Sequence, residues 1–211
     1  MGKMATSASR CGIRHVVLTG RPGIGKTTLI KKIHKALSES GVEVKGFYTE
    51  ELRSGGQRLG FDVVTLDGNR GPLARIQDSE SGGASHKRSF LVGKYEVKLG
   101  SFENVALPTL RIPKNAQPGT SNGSCQVFII DEIGKMELFS QTFVTMVRDI
   151  LKTPNYTIIA TVPVPKGRPI PFVEEIRNHQ QTQVFTVTME NRDHMLDDIM
   201  ITVHTAVGYE H

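Results

Sequence analysis

The chain has 211 residues, 38% of them hydrophobic and 22% charged, with 21 glycines and ten prolines. That is enough for one sizeable core, and it excludes a collagen-like, low-complexity or wholly disordered chain. The net charge of +5 is confined to the front end, where residues 1–38 hold eight Lys and Arg and no acid, so a broad basic face for nucleic acid is disfavoured.

Residues 1–13 read as a flexible extension, and residues 14–208 as one domain. M-G-K-M-A-T fits a myristoylation pattern at Gly2. The Ser- and Arg-rich, acid-free start also fits a mitochondrial transit peptide. Cys11 and Cys125 form no C-x-x-C and are too few for a disulfide framework, which favours a reducing, cytoplasmic compartment. No window approaches the roughly 18–20 apolar residues of a membrane span. Without coiled-coil heptads, a monomer is the expectation.

V-V-L-T at 16–19 reads as a buried strand. A helix follows from Lys26, with Leu29, Ile30, Ile33 and Leu37 on one face, and Gly41 ends it. Residues 42–51 form a second strand whose carboxyl end carries Thr49, Glu50 and Glu51. Residues 60–66 and 70–76 flank Asp67-Gly68-Asn69 as a hairpin. Residues 95–99 form another strand, with Ser101 capping a short helix to Leu110. The stretches from Gln77 to Ser89 and from Ile112 to Ser124 read as loops inside the domain.

V-F-I-I at 127–130 is a strand, and Met136 to Leu151 a helix. Residues 157–162 form a strand, a helix starts near Pro171, V-F-T-V at 184–187 is a strand, and a last helix starts near Glu190. Apolar strands alternating with helices predict an α/β fold, a mainly parallel sheet covered on both faces, with the hairpin as an antiparallel addition.

Gly20-Arg21-Pro22-Gly23-Ile24-Gly25-Lys26-Thr27, followed by Thr28, matches G-x-x-x-x-G-K-[ST] between a strand and a helix. Backbone N–H groups and the helix N-terminus then face phosphate oxygens, Lys26 the β- and γ-phosphates, and the Thr27 hydroxyl a Mg²⁺ ion. The strand V-F-I-I ends in Asp131, a second ligand to that metal. Glu132 follows directly, and a carboxylate there can orient and deprotonate an attacking water. Ile133 and Gly134 complete the segment.

The adjacent Asp-Glu pair resembles the ATPase branch of phosphate-loop proteins that activates water with Glu, a RecA-like three-layer arrangement. In that branch a further strand lies between the phosphate-loop strand and the Asp-Glu strand. The resemblance puts Thr161 at its tip, facing the γ-phosphate or the water; a Thr satisfied at a strand end is the alternative. A cation is needed for the charge of the transition state. Arg192, at a helix start after a strand, is the first candidate, beside Lys166, Arg168, Lys135 and Arg21.

G-F-Y-T-E-E (46–51), G-F-D-V-V-T-L (60–66), D-E-I-G-K-M-E-L (131–138) and P-V-P-K-G-R-P (163–169) together resemble the THEP1 nucleoside-triphosphatase family, in its vertebrate branch, over about residues 14–205. The resemblance implies a monomeric, Mg²⁺-dependent hydrolase of several nucleoside triphosphates, with nucleotide held by Gly20 to Thr27 and Val127 to Gly134. Arg21 stands where relatives are expected to carry an uncharged residue. Three rivals remain. A kinase would transfer the phosphoryl group to a small, nucleoside-like acceptor. A GTP switch has a foothold in D-x-x-G at 131–134, but no Asn is followed by Lys, so N-K-x-D is absent. A nucleic-acid-stimulated ATPase has few aromatic platforms.

Overall fold

Residues 12–77, 90–112 and 126–208 are described in the computed structural model of the chain. Nearly all of the N-terminal extension and of the two expected loops lies outside the described residues.

In chain order the elements are β1 (His15–Thr19), α1 (Lys26–Glu39), β2 (Val44–Ser54), β3 (Gln57–Thr65) and β4 (Arg70–Ile76). Then come β5 (Leu91–Val92), β6 (Tyr95–Val97) and α2 (Leu99–Ala106), which runs on as a 3-10 turn to Leu110. The remainder is β7 (Gln126–Asp131), α3 (Gln141–Lys152), β8 (Tyr156–Val162), α4 (Pro171–Arg177), β9 (Thr182–Thr186) and α5 (Met195–Val207).

These strands form one nine-stranded sheet in the order β5-β6-β4-β3-β2-β7-β8-β1-β9. From β2 to β9 neighbouring strands run parallel. From β2 outward to β5 they alternate in direction. The sheet is therefore mixed, and β8 lies between β1 and β7 as expected.

Side chains alternate across a strand, so an apolar strand builds a core on each face. Phe128 and Ile130 of β7 face a layer containing Phe102 of α2, Phe143 and Val147 of α3 and Phe172 of α4. Val127 and Ile129 of the same strand face Ile30 and Ile33 of α1 and Ile199 and Val203 of α5. Phe47, Phe102 and Phe143 meet at ring centroid distances of 5.4–6.1 Å. The three layers follow from that alternation.

Several expected boundaries move. Strand β2 runs three residues past Glu51 and turns at Gly55-Gly56 into β3, so two hairpins share β3. Strand β5 is additional. Helix α2 begins at Leu99, and Ser101 packs against Gly71 instead of capping it. The expected helix from Met136 breaks at Ser140, whose extended backbone lets its hydroxyl accept the Phe143 N–H at 3.1 Å. The apolar period runs on through that break, but the cap satisfies a donor that a continuous helix would not need to cap. The last helix starts at Met195 rather than near Glu190, because Asn191 folds its amide back onto Thr186 and Thr188. Such local bonds compete with helix.

His15 is fully buried in β1, and its Nδ1 accepts the Ile158 N–H at 3.2 Å. Burial, helped by Arg14 and His179, pushes its pKa down to about 4. A depressed pKa means the fold favours the neutral ring. The stability this confers is complete above the ordinary value of 6.5 and drains away as the pH falls toward 4. His15→Asn, which keeps an acceptor, is expected to lose less stability than the parent between pH 7 and pH 4.5, by about 2–3 kcal/mol in urea unfolding. Equal losses in the two proteins would show that His15 does not titrate in this window.

Candidate functional site

Parallel pairing brings strand ends to a common edge. Leu18 lies opposite Thr161 and Tyr48 opposite Asp131, so β1, β7 and β8 finish together, at the level where β2 leaves the parallel half of the sheet. The loop 20–25 rises from β1 over that edge, and Lys26 opens α1. At Gly20 a Cβ would sit 2.6 Å from the Val187 carbonyl oxygen, so only glycine lets the loop leave β1 beside the end of β9.

Lys26 is 8% exposed. Its ammonium donates to the Gly20 carbonyl at 3.0 Å and stands 3.8 Å from Glu132 Oε2. Asp131 is buried beneath it. The Thr161 hydroxyl donates to Asp131 Oδ1, while Oδ2 has no hydrogen-bond partner. Burial pushes the Asp131 carboxyl up, and the Thr161 and Thr27 hydroxyls and Lys26 pull it back. Glu132 is likewise raised by burial and drawn down by Lys26. Thr161 is thus a strand-end residue satisfied by its neighbour, and that neighbour is the site carboxylate.

All of these except Thr161, which is fully buried behind Asp131, line a cavity of about 700 Å³. One wall is the phosphate loop, through Gly20, Pro22, Gly23, Lys26 and Thr27; the floor is Asp131 and Glu132. The opposite wall comes from the antiparallel strands, through Thr49, Glu50 and Glu51 of β2 and Arg58 and Phe61 of β3. Its acids are already paired: Glu50 with Lys31 and Arg70, Glu51 with Arg58 and Arg53. Both carboxyls are held low, by Lys31 and Arg58 first. Cancelled charge on this wall lets a polyphosphate approach without facing two bare carboxylates.

The segment from Pro163 to Ile170, between β8 and α4, closes the cavity with Pro163, Val164 and Lys166. Among the cations weighed from sequence, Lys166 therefore reaches this cavity. Lys135 and Arg168 line a neighbouring one. Arg192 is exposed, lines neither, and has Asp193 at 3.8 Å. Arg21 and Thr28 are also exposed and outside the lining; the Glu190 carboxyl is held low by the Thr188 hydroxyl first, with Arg21 adding to it. Ile24 and Ile133 are buried in the cores, and the Ile133 N–H donates to the Thr161 carbonyl at 2.9 Å. The oxygen donors Asp131 and Thr27 fit a small hard cation that completes its shell with substrate oxygens and water. Among the described residues no group of three or more His, Cys, Asp or Glu could hold a metal by itself.

Glu137, unassigned from sequence, is buried at this edge. Its Oε2 accepts the Gly134 N–H at 3.1 Å. A Cβ on Gly134 would meet Glu132 Oε1 at 2.7 Å and Glu137 Oε2 at 3.2 Å, so glycine here lets both carboxyls close in. Burial, with the Glu132 charge second, pushes the Glu137 pKa up to about 8. No periodicity marks such a residue, since Glu at 137 reads as an ordinary helix acid. Arg58 and Phe61 were also missed, although the Ser-Gly-Gly turn at 54–56 implies the register that sets Phe61 opposite Glu51.

A family model described as NTPase matches residues 15–200. The human protein named Cancer-related nucleoside-triphosphatase is 55% identical over 193 residues, 92% of this chain and 98% of that one. The solution structure of a human cancer-related nucleoside triphosphatase matches with a TM-score of 0.76, covering 91% of this chain and 98% of that chain. The crystal structure of THEP1 from Aquifex aeolicus, at 38% identity, matches with a TM-score of 0.70 over 90% and 98%.

For Glu137 a raised pKa means the neutral acid stabilises the fold below the ordinary value of 4.5, and that contribution is lost as the pH climbs through about 8. Glu137→Gln keeps an acceptor for Gly134 and carries no charge at any pH. It is expected to match the parent to within about 1 kcal/mol at pH 4.5 and to exceed it at pH 9, read as urea midpoints. A variant that is weaker than the parent at both pH values would contradict the assignment of a neutral Glu137.

Proposed function

The chain belongs to the NTPase family matched over residues 15–200, and from that premise we propose that it hydrolyses nucleoside 5′-triphosphates to the diphosphate and phosphate, using Glu132 to activate water. The observation that carries this reading is the placement of Glu132: 3.8 Å from the phosphate-loop lysine and in the floor of the cavity that the loop lines. A carboxylate beside the γ-phosphate site is where an attacking water has to be oriented.

On this reading the loop N–H groups hold the phosphate chain, and Lys26 turns from Gly20 and Glu132 toward the β- and γ-oxygens. Water oxygen bonds to the γ-phosphorus, the bond to the β,γ-bridging oxygen breaks with its electrons leaving on the diphosphate, and the water proton passes to Glu132. Asp131 Oδ2 and the Thr27 hydroxyl are the groups to hold Mg²⁺, which when bound neutralises charge on the β- and γ-phosphates. Thr161 holds Asp131 in place. Lys166, the cation of the closing segment, takes the role of countering charge on the transferring group. Low selectivity among ATP, GTP, CTP and UTP is part of the proposal, supported by the absence of an N-K-x-D guanine reader from the sequence.

Lys26→Ala is expected to abolish most triphosphate binding in a fluorescent-nucleotide titration. Glu132→Gln should bind within a few-fold of the parent yet lose about 100-fold or more in phosphate release. Hydrolysis by Glu132→Gln at the parent rate would sink the water-activation assignment. Gly134→Ala is a finer probe, since its Cβ displaces Glu132 Oε1 without a backbone conflict. Turnover is expected to fall about tenfold with nucleotide affinity within a few-fold of the parent, and a full-rate Gly134→Ala protein would mean that the position of Glu132 is not critical.

A further inference from the structure

A second cavity, of about 330 Å³, lies against the first. Both are lined by Thr49, Phe61, Glu132, Pro163, Val164 and Lys166, so the two spaces meet at the carboxylate assigned to activate water. The volume is at the lower end of the roughly 300–1,000 Å³ usual for small-molecule sites. Its walls are mostly apolar, with Leu73, Val92, Met136, Ile170 and Val173 surrounding the space and Lys135 and Arg168 among its charged groups. Water alone has no use for an apolar chamber of this size next to its activating base.

We propose that this chamber receives a small neutral alcohol with a flat ring, of nucleoside type, and that the protein transfers the γ-phosphoryl group to its hydroxyl. The proposal rests on the role given above to Glu132, and makes hydrolysis the reaction of the same site when water takes the acceptor's place. The apolar walls suit a ring rather than a second phosphate. Glu137 lines the chamber, and its neutral carboxyl near pH 7 is a donor to a ring nitrogen or carbonyl. Lys166, common to both spaces, stands where the phosphoryl group crosses. In the step itself the acceptor oxygen bonds to the γ-phosphorus. The bond to the β,γ-bridging oxygen breaks with its electrons leaving on the nucleoside diphosphate, and the hydroxyl proton passes to Glu132.

The test uses the full chain with ATP and Mg²⁺ and, as probes, adenosine, guanosine, cytidine and uridine. ADP, inorganic phosphate and nucleoside monophosphate are measured separately. At least one nucleoside is expected to raise ADP release by about tenfold, with phosphate falling short of ADP by the monophosphate formed. Val92→Trp and Ile170→Trp, at two partly exposed wall positions, are expected to keep the basal phosphate release and lose that gain. ADP and phosphate remaining equal with all four probes would overturn the proposal, as would a nucleoside gain that survives both tryptophans. Basal phosphate release from Glu132→Gln, run in parallel, separates the two readings. Its persistence at the parent rate defeats the hydrolytic assignment; its loss, with ADP equal to phosphate throughout, defeats only the acceptor chamber.

Discussion

A lysine ammonium that is only 8% exposed cannot be left without a partner, and the whole site is arranged to answer Lys26. Desolvating an isolated charge costs several kcal/mol even after relaxation. The Gly20 carbonyl and Glu132 share that burden from two sides, and Asp131 lies below. Burial raises the Glu132 carboxyl, and the same field that makes Lys26 tolerable pulls it part of the way back down. The loop with Lys26, the buried Asp131 and Glu132 are thus mutually dependent, and a change to one alters the charge state of the others.

Holding these groups in one field requires that the strands leading to them reach the same height. The parallel half of the sheet does this, through evenly registered pairs from β2 to β1. The antiparallel half does something different. It continues β2 beyond the parallel region, turns it into β3, and so raises a wall over the strand ends where Arg58 and Phe61 face the cavity. One sheet provides both the floor of the site and one of its sides.

Much of this was legible in the residues. The strand-loop-helix from His15 to Glu39 and the Asp131-Glu132 strand end stand where the sequence puts them, because each is marked by a continuous apolar run and a chemically restrictive motif, and the apolar strand with Thr161 lies between them as the resemblance implies. The misses share a cause: interactions between segments distant in sequence leave no periodic trace. Arg192 is a candidate because it opens a helix, but with Asn191 bonded back to Thr188 that helix starts only at Met195, and Lys166 reaches the cavity from a segment with no secondary structure. Glu137 looked like a solvated helix acid until Gly134 and Glu132 closed over it. Ser140 broke an apolar period that was otherwise unbroken.

The segment joining β8 to α4 reads P-V-P-K-G-R-P-I-P, four prolines in the nine residues 163–171. Each proline fixes φ near −65° and removes conformations from the unfolded chain, worth about 0.4–1 kcal/mol where the native geometry suits it. Here that stiffness falls on the partition between two cavities. A flexible partition would have to be ordered anew by every ligand, at an entropic loss subtracted from affinity. A pre-set one leaves Lys166 standing at the boundary before anything binds, so the shape of what is admitted on either side is decided by folding and not by the guest.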